Sequence, residues 1–193
     1  MKTLMPNNRG FTLIELLVTV SLIAILIGVA APSFTAFQRN AELTSFANSM
    51  IATINSARGE AIKRGRYAMV VPVDTANWSS GWTVFVDVDR SQTYDATSSD
   101  ILVSSREAPP TYLTITPNGS ALASPPYILF DASGYTKMKD GSPSNLSFSI
   151  ARNDVSPSIV SLETRVVKLT KTGRVRVCKP SNDSTCTMAA GSD

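Results

Sequence analysis

From Phe11 to Ala31 the chain runs 21 residues with Glu15 as the only charge. At a rise of about 1.5 Å per residue, a helix of that length reaches about 30 Å, enough to cross a bilayer. Beyond it the apolar positions thin out. Leu43, Phe46, Met50, Ile54, Ala57 and Ala61 recur at intervals of three and four, one face of a helix, with Glu42, Asn48, Asn55 and Lys63 on other faces. Gly65, directly after Lys63 and Arg64, reads as a C-cap with cations on the last turn. A helix from about Phe11 to Arg64 would be about 80 Å long.

After Gly65 the period changes to two. The expected strands are Tyr67–Val73, Trp82–Val88, Ile101–Arg106, Thr111–Thr116, Ile128–Phe130, Leu146–Ala151, Ile159–Leu169 and Arg174–Cys178. Turn residues punctuate them at Asn77–Gly81, Pro109-Pro110, Asn118-Gly119, Ser133-Gly134 and Asp140-Gly141. A long helix followed by antiparallel sheet is an α+β arrangement.

Of the 193 residues, about 160 lie outside the apolar segment, enough for one domain with its own core. The net charge of +3 falls to about +1 without Lys2 and Arg9. The basic charge is concentrated instead: Arg165, Lys168, Lys171, Arg174, Arg176 and Lys179 follow one another with no acid between. There is no histidine, which removes His-based acid–base catalysis, His-activated nucleophiles and His metal ligation. No other catalytic constellation stands out, so an enzyme is not expected. Two cysteines, Cys178 and Cys186, fall short of the usual four zinc ligands. If the domain lies outside the cytoplasm, a local disulfide pinning the tail is the better reading.

Three readings compete for the N-terminus. A cleaved signal peptide has a shorter apolar core, followed by its small-residue cleavage site; here Gly10 precedes the run. A plain anchor fits the length but leaves Glu15 unexplained, since a carboxylate in hydrocarbon costs several kcal/mol. The third reading is cleavage on the cytoplasmic side, between Gly10 and Phe11, with the helix retained as the new N-terminus.

Gly10-Phe11-Thr12-Leu13-Ile14-Glu15-Leu16-Leu17, with Pro32 further along, resembles the processing and assembly motif of type IV pilins and type II secretion pseudopilins. That resemblance implies a peptidase cut after Gly10 and methylation of the new amine on Phe11. It also implies an assembly role for Glu15, whose carboxylate would meet the Phe11 amine of a neighbouring subunit; the bland alternative is that Glu15 snorkels to the headgroups. Pro32, four residues after Gly28, is expected to bend the helix at the membrane exit. The segment 57–65, the run Gly81–Asp89, and Ile128-Leu129-Phe130 followed by Gly134 resemble the FimT/FimU minor pilins and the GspH pseudopilins.

On a strand, Arg174 and Arg176 share one face and Val175 and Val177 the other. Gly173-Arg174-Val175-Arg176 resembles the Gly-Arg-x-Arg motif of FimT-type minor pilins, which implies DNA binding during natural transformation. Lys171 and Lys179 join it by charge and proximity, and phosphate contacts need no base readout. The competing reading is a solvated basic edge strand protected from aggregation.

Other candidates carry less. Arg58 and Glu60 are too close in sequence to face each other on a helix and receive no catalytic role. Asp87, Asp89 and Asp95 alternate like calcium ligands, but lack the EF-hand glycine and terminal glutamate, and strand-end aspartates commonly form turns. The expectation is therefore no metal and no cofactor. Trp78 and Trp82 form either a binding surface or the closing edge of a core.

The expected organisation is a prepilin leader over 1–10, a transmembrane or filament-core helix over 11–31, an amphipathic continuation over 32–65 and a β-rich GspH/FimT-like domain over 66–193. The expected function is that of a minor type IV pilin, with an H-type pseudopilin of a type II secretion system as the alternative. Its expected partners are other pilins through the N-terminal helix, prepilin peptidase, the bacterial inner membrane and DNA. The expected location is the inner membrane with a periplasmic domain, then the fibre at the cell surface.

Overall fold

The computed structural model describes residues 10–74 and 76–188, with Val29 and Pro32 described in backbone only; Lys2 and Arg9 of the expected leader lie outside the described residues. One long helix, α1 (Leu13–Arg64), opens the chain. Its end is set by Gly65, in the left-handed region at φ +62. Gly65 N–H donates to Ile62 O at 3.3 Å and Arg66 N–H to Ala61 O at 3.2 Å, the paired bonds that satisfy the last carbonyls of a glycine-capped helix. Glu60 accepts from Lys63 and Arg64, not from Arg58.

The chain divides into two compact units, residues 1–40 and Ala41–Asp193. The described part of the first, residues 10–40, is helical from Leu13 onward, and its described apolar side chains are exposed. No single described helix is long and apolar enough to cross a membrane, but Leu13–Gly28 and Ser33–Arg64, which meet at a bend, pass that test together. The break spans the position where Pro32 has no N–H to give the Gly28 carbonyl four residues earlier.

Among the described residues, the second unit carries nine strands in two antiparallel sheets. Sheet 1 orders β3 (Ile101–Arg106), β2 (Asn77–Asp87), β1 (Tyr67–Asp74), β5 (Ile128–Phe130) and β6 (Thr136–Lys137). Sheet 2 orders β4 (Leu113–Asn118), β7 (Leu146–Arg152), β8 (Thr164–Leu169) and β9 (Val175–Cys178). The apolar stripe of α1 meets the inner faces of both sheets in one core: Leu43, Ile54, Ala57 and Ala61 are fully buried with Val84, Phe130, Phe148 and Val167. A second, smaller cluster of Met69, Phe85, Tyr127 and Leu129 lies on the opposite face of sheet 1, with Tyr94 packed against it.

Several expected boundaries shift. Asn77–Gly81, read as a turn, is the first half of β2: Asp74 already pairs with Asn77, so the hairpin closes earlier. The cause is Trp78, which is buried, stacks edge-on against Phe148 at 4.9 Å and donates to Ala121 O at 2.7 Å. Core burial there outweighs the turn preference of Asn, Ser and Gly. Trp82 is equally buried and donates to Thr53 Oγ1 at 3.2 Å, so neither tryptophan forms a surface. Strand β8 starts at Thr164 rather than Ile159, because Pro157–Ile159 form a 3-10 turn. Strand β4 starts two residues after the expected Thr111, once the Pro110 carbonyl has accepted from Leu113 N–H. Strand β6 was too short to read from periodicity.

Candidate functional site

Two surfaces gather the residues singled out by the sequence. The first is the start of α1. Gly10 and Phe11 precede the helix and are exposed, Phe11 by 79%. Thr12 Oγ1 accepts the Glu15 N–H at 3.3 Å and Thr12 O accepts from Leu16 N–H, which makes Thr12 the N-cap and puts the Glu15 carboxylate in the first turn. Carboxylates are favoured there by the helix dipole. The Thr-x-x-Glu signature of a capping box was present in the sequence and marks Thr12 as a residue the motif reading missed. Leu13, Ile14, Leu17, Ile23, Leu26 and Ile27 are all more than half exposed. A continuous apolar surface of this kind has no cover within its own unit and calls for lipid or other subunits.

The second surface is the β8–β9 hairpin. Thr170 N–H donates to Arg174 O at 3.0 Å and Gly173 N–H to Thr170 O at 2.9 Å, closing a tight loop. Gly173 sits at φ +78, and a Cβ there would collide with Gly134 O. Arg58 of α1 clamps the same place, donating from Nε to Gly134 O at 3.0 Å and from Nη2 to Thr172 O at 3.3 Å. Lys171 N–H donates to Asn145 Oδ1 at 2.6 Å. The backbone of the Gly-Arg-x-Arg segment is therefore held from several sides, while the Lys171 and Arg174 side chains are exposed.

The four basic residues are not equivalent. Strand β9 is the edge of sheet 2. Val175 and Val177 pack on the core, and Arg176 lies on the outer face. There the register builds one row across all four strands: Asn118, Ser147, Lys168 and Arg176. The C-terminal segment returns over this row. Cys178 is disulfide-bonded to Cys186. Lys168 Nζ donates to Thr185 O at 3.0 Å, and Ser147 Oγ and Asn118 Nδ2 both donate to Met188 O, at 2.8 and 2.6 Å. Lys168 is buried, and Arg176 and Lys179 are half-buried. Asp183 in the returning segment is held below the usual carboxylate range by the Thr185 hydroxyl and amide, with Arg176 and Lys168 adding attraction. The charge of Arg176 is thus partly answered within the chain. Lys171 and Arg174 are exposed at the loop end of the hairpin.

Asp95 does not join Asp87 and Asp89. Its Oδ1 accepts from the Thr97 amide and hydroxyl, both at 2.7 Å. Asp100 takes the third place, with one carboxylate oxygen of Asp87, Asp89 and Asp100 lying within 4.8 Å of the others. Burial, and the nearby Asp89 and Asp100 carboxylates, push the Asp87 carboxyl above its ordinary range.

Residues 47–173 match the family model of the type II transport protein GspH, and residues 5–31 match the prokaryotic N-terminal methylation motif. Among curated proteins, the chain is 32% identical over 89 residues to the pilin-like protein PilA1 of Thermus thermophilus, covering 46% of this chain and 54% of that protein. It is 35% identical over 63 residues to the type IV major pilin protein PilA of Myxococcus xanthus, covering 33% and 29%. The chain therefore spans about half or less of the curated relatives it matches. The fold is shared with the crystal structure of the type IV minor pilin FimU of Pseudomonas aeruginosa, at a TM-score of 0.54 and 19% identity, over 75% of this chain and 94% of that one. With the model matching about two thirds of its length and the methylation motif at its start, the chain belongs to the GspH family of pilin-like type II transport proteins.

Proposed function

We propose that this protein is a minor subunit of a type IV pilus. On this reading it is cut between Gly10 and Phe11 by prepilin peptidase, methylated on Phe11, and stored in the inner membrane with residues 41–193 on the periplasmic side. It then joins the fibre through its N-terminal helix, with Glu15 meeting the Phe11 amine of a neighbouring subunit. The observation that carries this is the exposed apolar surface of residues 13–27, interrupted by one carboxylate in its first turn. Lipid satisfies the apolar groups and leaves the acid without a partner; a neighbouring subunit satisfies both, its helix the apolar groups and its N-terminal amine the acid. The test is a deletion strain complemented with wild type or Glu15→Ala. Both proteins should be found in the membrane, and only the wild type in sheared fibres. Entry of Glu15→Ala into fibres at the wild-type level overturns the proposal.

The family model's description favours a second reading, an H-type pseudopilin of a type II secretion system. In that case the deletion strain loses protein secretion and keeps its pili. The same fibre subunit would present Lys171 and Arg174 to the phosphates of extracellular DNA, with Arg176 and Lys179 behind them.

A further inference from the structure

Asp87 ends β2 on the face of sheet 1 that carries the smaller apolar cluster, and it is wholly buried. Its Oδ2 accepts from Gln92 N–H at 3.1 Å, while its Oδ1 has no hydrogen-bond partner. A buried carboxylate oxygen without a donor calls for an explanation, because such atoms are nearly always satisfied. The atoms that approach it worsen the imbalance. The 88–100 loop folds back so that Asp89 and Asp100 bring carboxylate oxygens within 4.8 Å of it and of each other. Asp89 Oδ1 accepts from Ser91 N–H at 2.9 Å, and Asp100 Oδ1 from Val88 N–H at 3.1 Å. These bonds orient the carboxylates without neutralising them. Among the described residues, no ion pair joins any of the three to a lysine or arginine. Arg66 and Arg90 line the cleft beside Asp87 without an ion pair to any of the three carboxylates, and Arg66 donates to Val88 O at 3.2 Å.

We propose that Asp87, Asp89 and Asp100 form a divalent-cation site, of calcium type, that clips the 88–100 loop to the end of β2. The donors are hard carboxylate oxygens only, which suits calcium and magnesium. Zinc is disfavoured because the chain has no histidine and both cysteines are in the disulfide. Three carboxylates leave room for water and main-chain oxygens in the six to eight positions that calcium accepts, in a geometry less strict than the magnesium octahedron. The clip has a structural consequence. Tyr94 of this loop packs on Phe85 at 5.2 Å between ring centres, and Gln92 exchanges hydrogen bonds with Lys139 at 3.0 and 3.1 Å. Holding the loop therefore holds the cover of the smaller apolar cluster. The competing arrangement is a proton shared between Asp87 and Asp89, which needs no metal.

The test uses the full-length chain in detergent, stripped with EDTA, then titrated with calcium chloride or magnesium chloride. Two quantities are read: the thermal midpoint and the rate of tryptic cleavage after Arg90. Calcium should raise the midpoint and slow the cleavage saturably, with half-effect at about 0.1–1 mM, the range of extracellular calcium modules. Magnesium should do so more weakly. Asp89→Asn, at an exposed position, should have an EDTA midpoint equal to or above wild type, because one repelling charge is gone, and should show no calcium shift. Asp100→Asn serves as the second variant and should likewise show no calcium shift, from an EDTA midpoint lowered because both Asp100 oxygens accept main-chain N–H groups, from Val88 and Asp95. An unchanged wild-type midpoint and cleavage rate up to about 10 mM calcium, or an equal calcium shift in both variants, overturns the site in favour of the shared proton.

Discussion

Arg58 Nε donates to Gly134 O at 3.0 Å, and that carbonyl oxygen is the atom a side chain on Gly173 would strike. The contact ties α1 to the loop after β5 and to the β8–β9 hairpin together. It gives Gly173 a structural reason to be glycine that does not involve a ligand. Gly173→Ala combines a positive φ with a backbone collision and should cost about 2–4 kcal/mol of stability, read as a lowered denaturation midpoint. Arg58→Ala loses two hydrogen bonds to main-chain oxygens and should cost about 1–2 kcal/mol. A Gly173→Ala protein as stable as wild type would contradict the packing at this junction.

DNA binding, if it follows the proposed function, should divide the basic residues by exposure. Lys171→Ala with Arg174→Ala should weaken binding to all sequences alike and flatten the salt slope by about one to two. Arg176→Ala should do less, because that side chain is half-buried with Asp183 nearby. Asp183→Asn should strengthen binding by removing the opposing charge. Fluorescence anisotropy with labelled DNA across a salt series checks all three. Equal losses at Arg174 and Arg176 would argue against the tail's screening role.

Reducing the Cys178–Cys186 bond opens a loop of sequence separation 8. Chain-entropy reasoning for so short a loop puts the loss at about 2–3 kcal/mol. Freeing the segment also withdraws Thr185 O from Lys168 and Met188 O from Ser147 and Asn118. Cys178→Ser with Cys186→Ser should therefore be cut by endoproteinase Asp-N before Asp183 faster than the oxidised protein, while the strands stay protected. Equal cleavage rates would show that the side-chain hydrogen bonds hold the segment alone.

Arg152 fastens α1 to sheet 2. Its Nη1 donates to Glu42 and its Nη2 to Asp154, both at 2.7 Å, and its guanidinium lies 4.2 Å from the Tyr112 ring centre. The arginine is nearly buried, but Glu42 and Asp154 are 50% and 39% exposed, so water screens part of the attraction. Arg152→Ala should cost about 1–2 kcal/mol, and Arg152→Lys should recover little, since an ammonium cannot form the fork to Asp154. Chemical denaturation of the two variants measures both.

Much of the architecture was readable from the chain. The stripe Leu43–Ala61 and the cap at Gly65 follow from helical spacing and from a glycine's freedom at positive φ, and the structure has them in place. Strands β3 and β5 lie where alternation put them. Asn77–Gly81 misled because turn chemistry is local, whereas Trp78 is held by Phe148 and Ala121, far along the chain. The grouping of carboxylates differs from the one weighed in the sequence for a similar reason. Asp95 stands near Asp87 and Asp89 in sequence but turns onto Thr97, and the fold of the loop brings Asp100 to them instead.

The division has a physical basis. Periodicity, an apolar run with one acid, and a glycine after two cations are local properties, so the sequence by itself determined the long helix, its end and the antiparallel class, and it carried the resemblance to the pilin N-terminus. Strand register is a long-range property. Only the tertiary structure could line up Asn118, Ser147, Lys168 and Arg176 in one row beneath the C-terminal segment, and so separate the two basic residues left open from those partly covered.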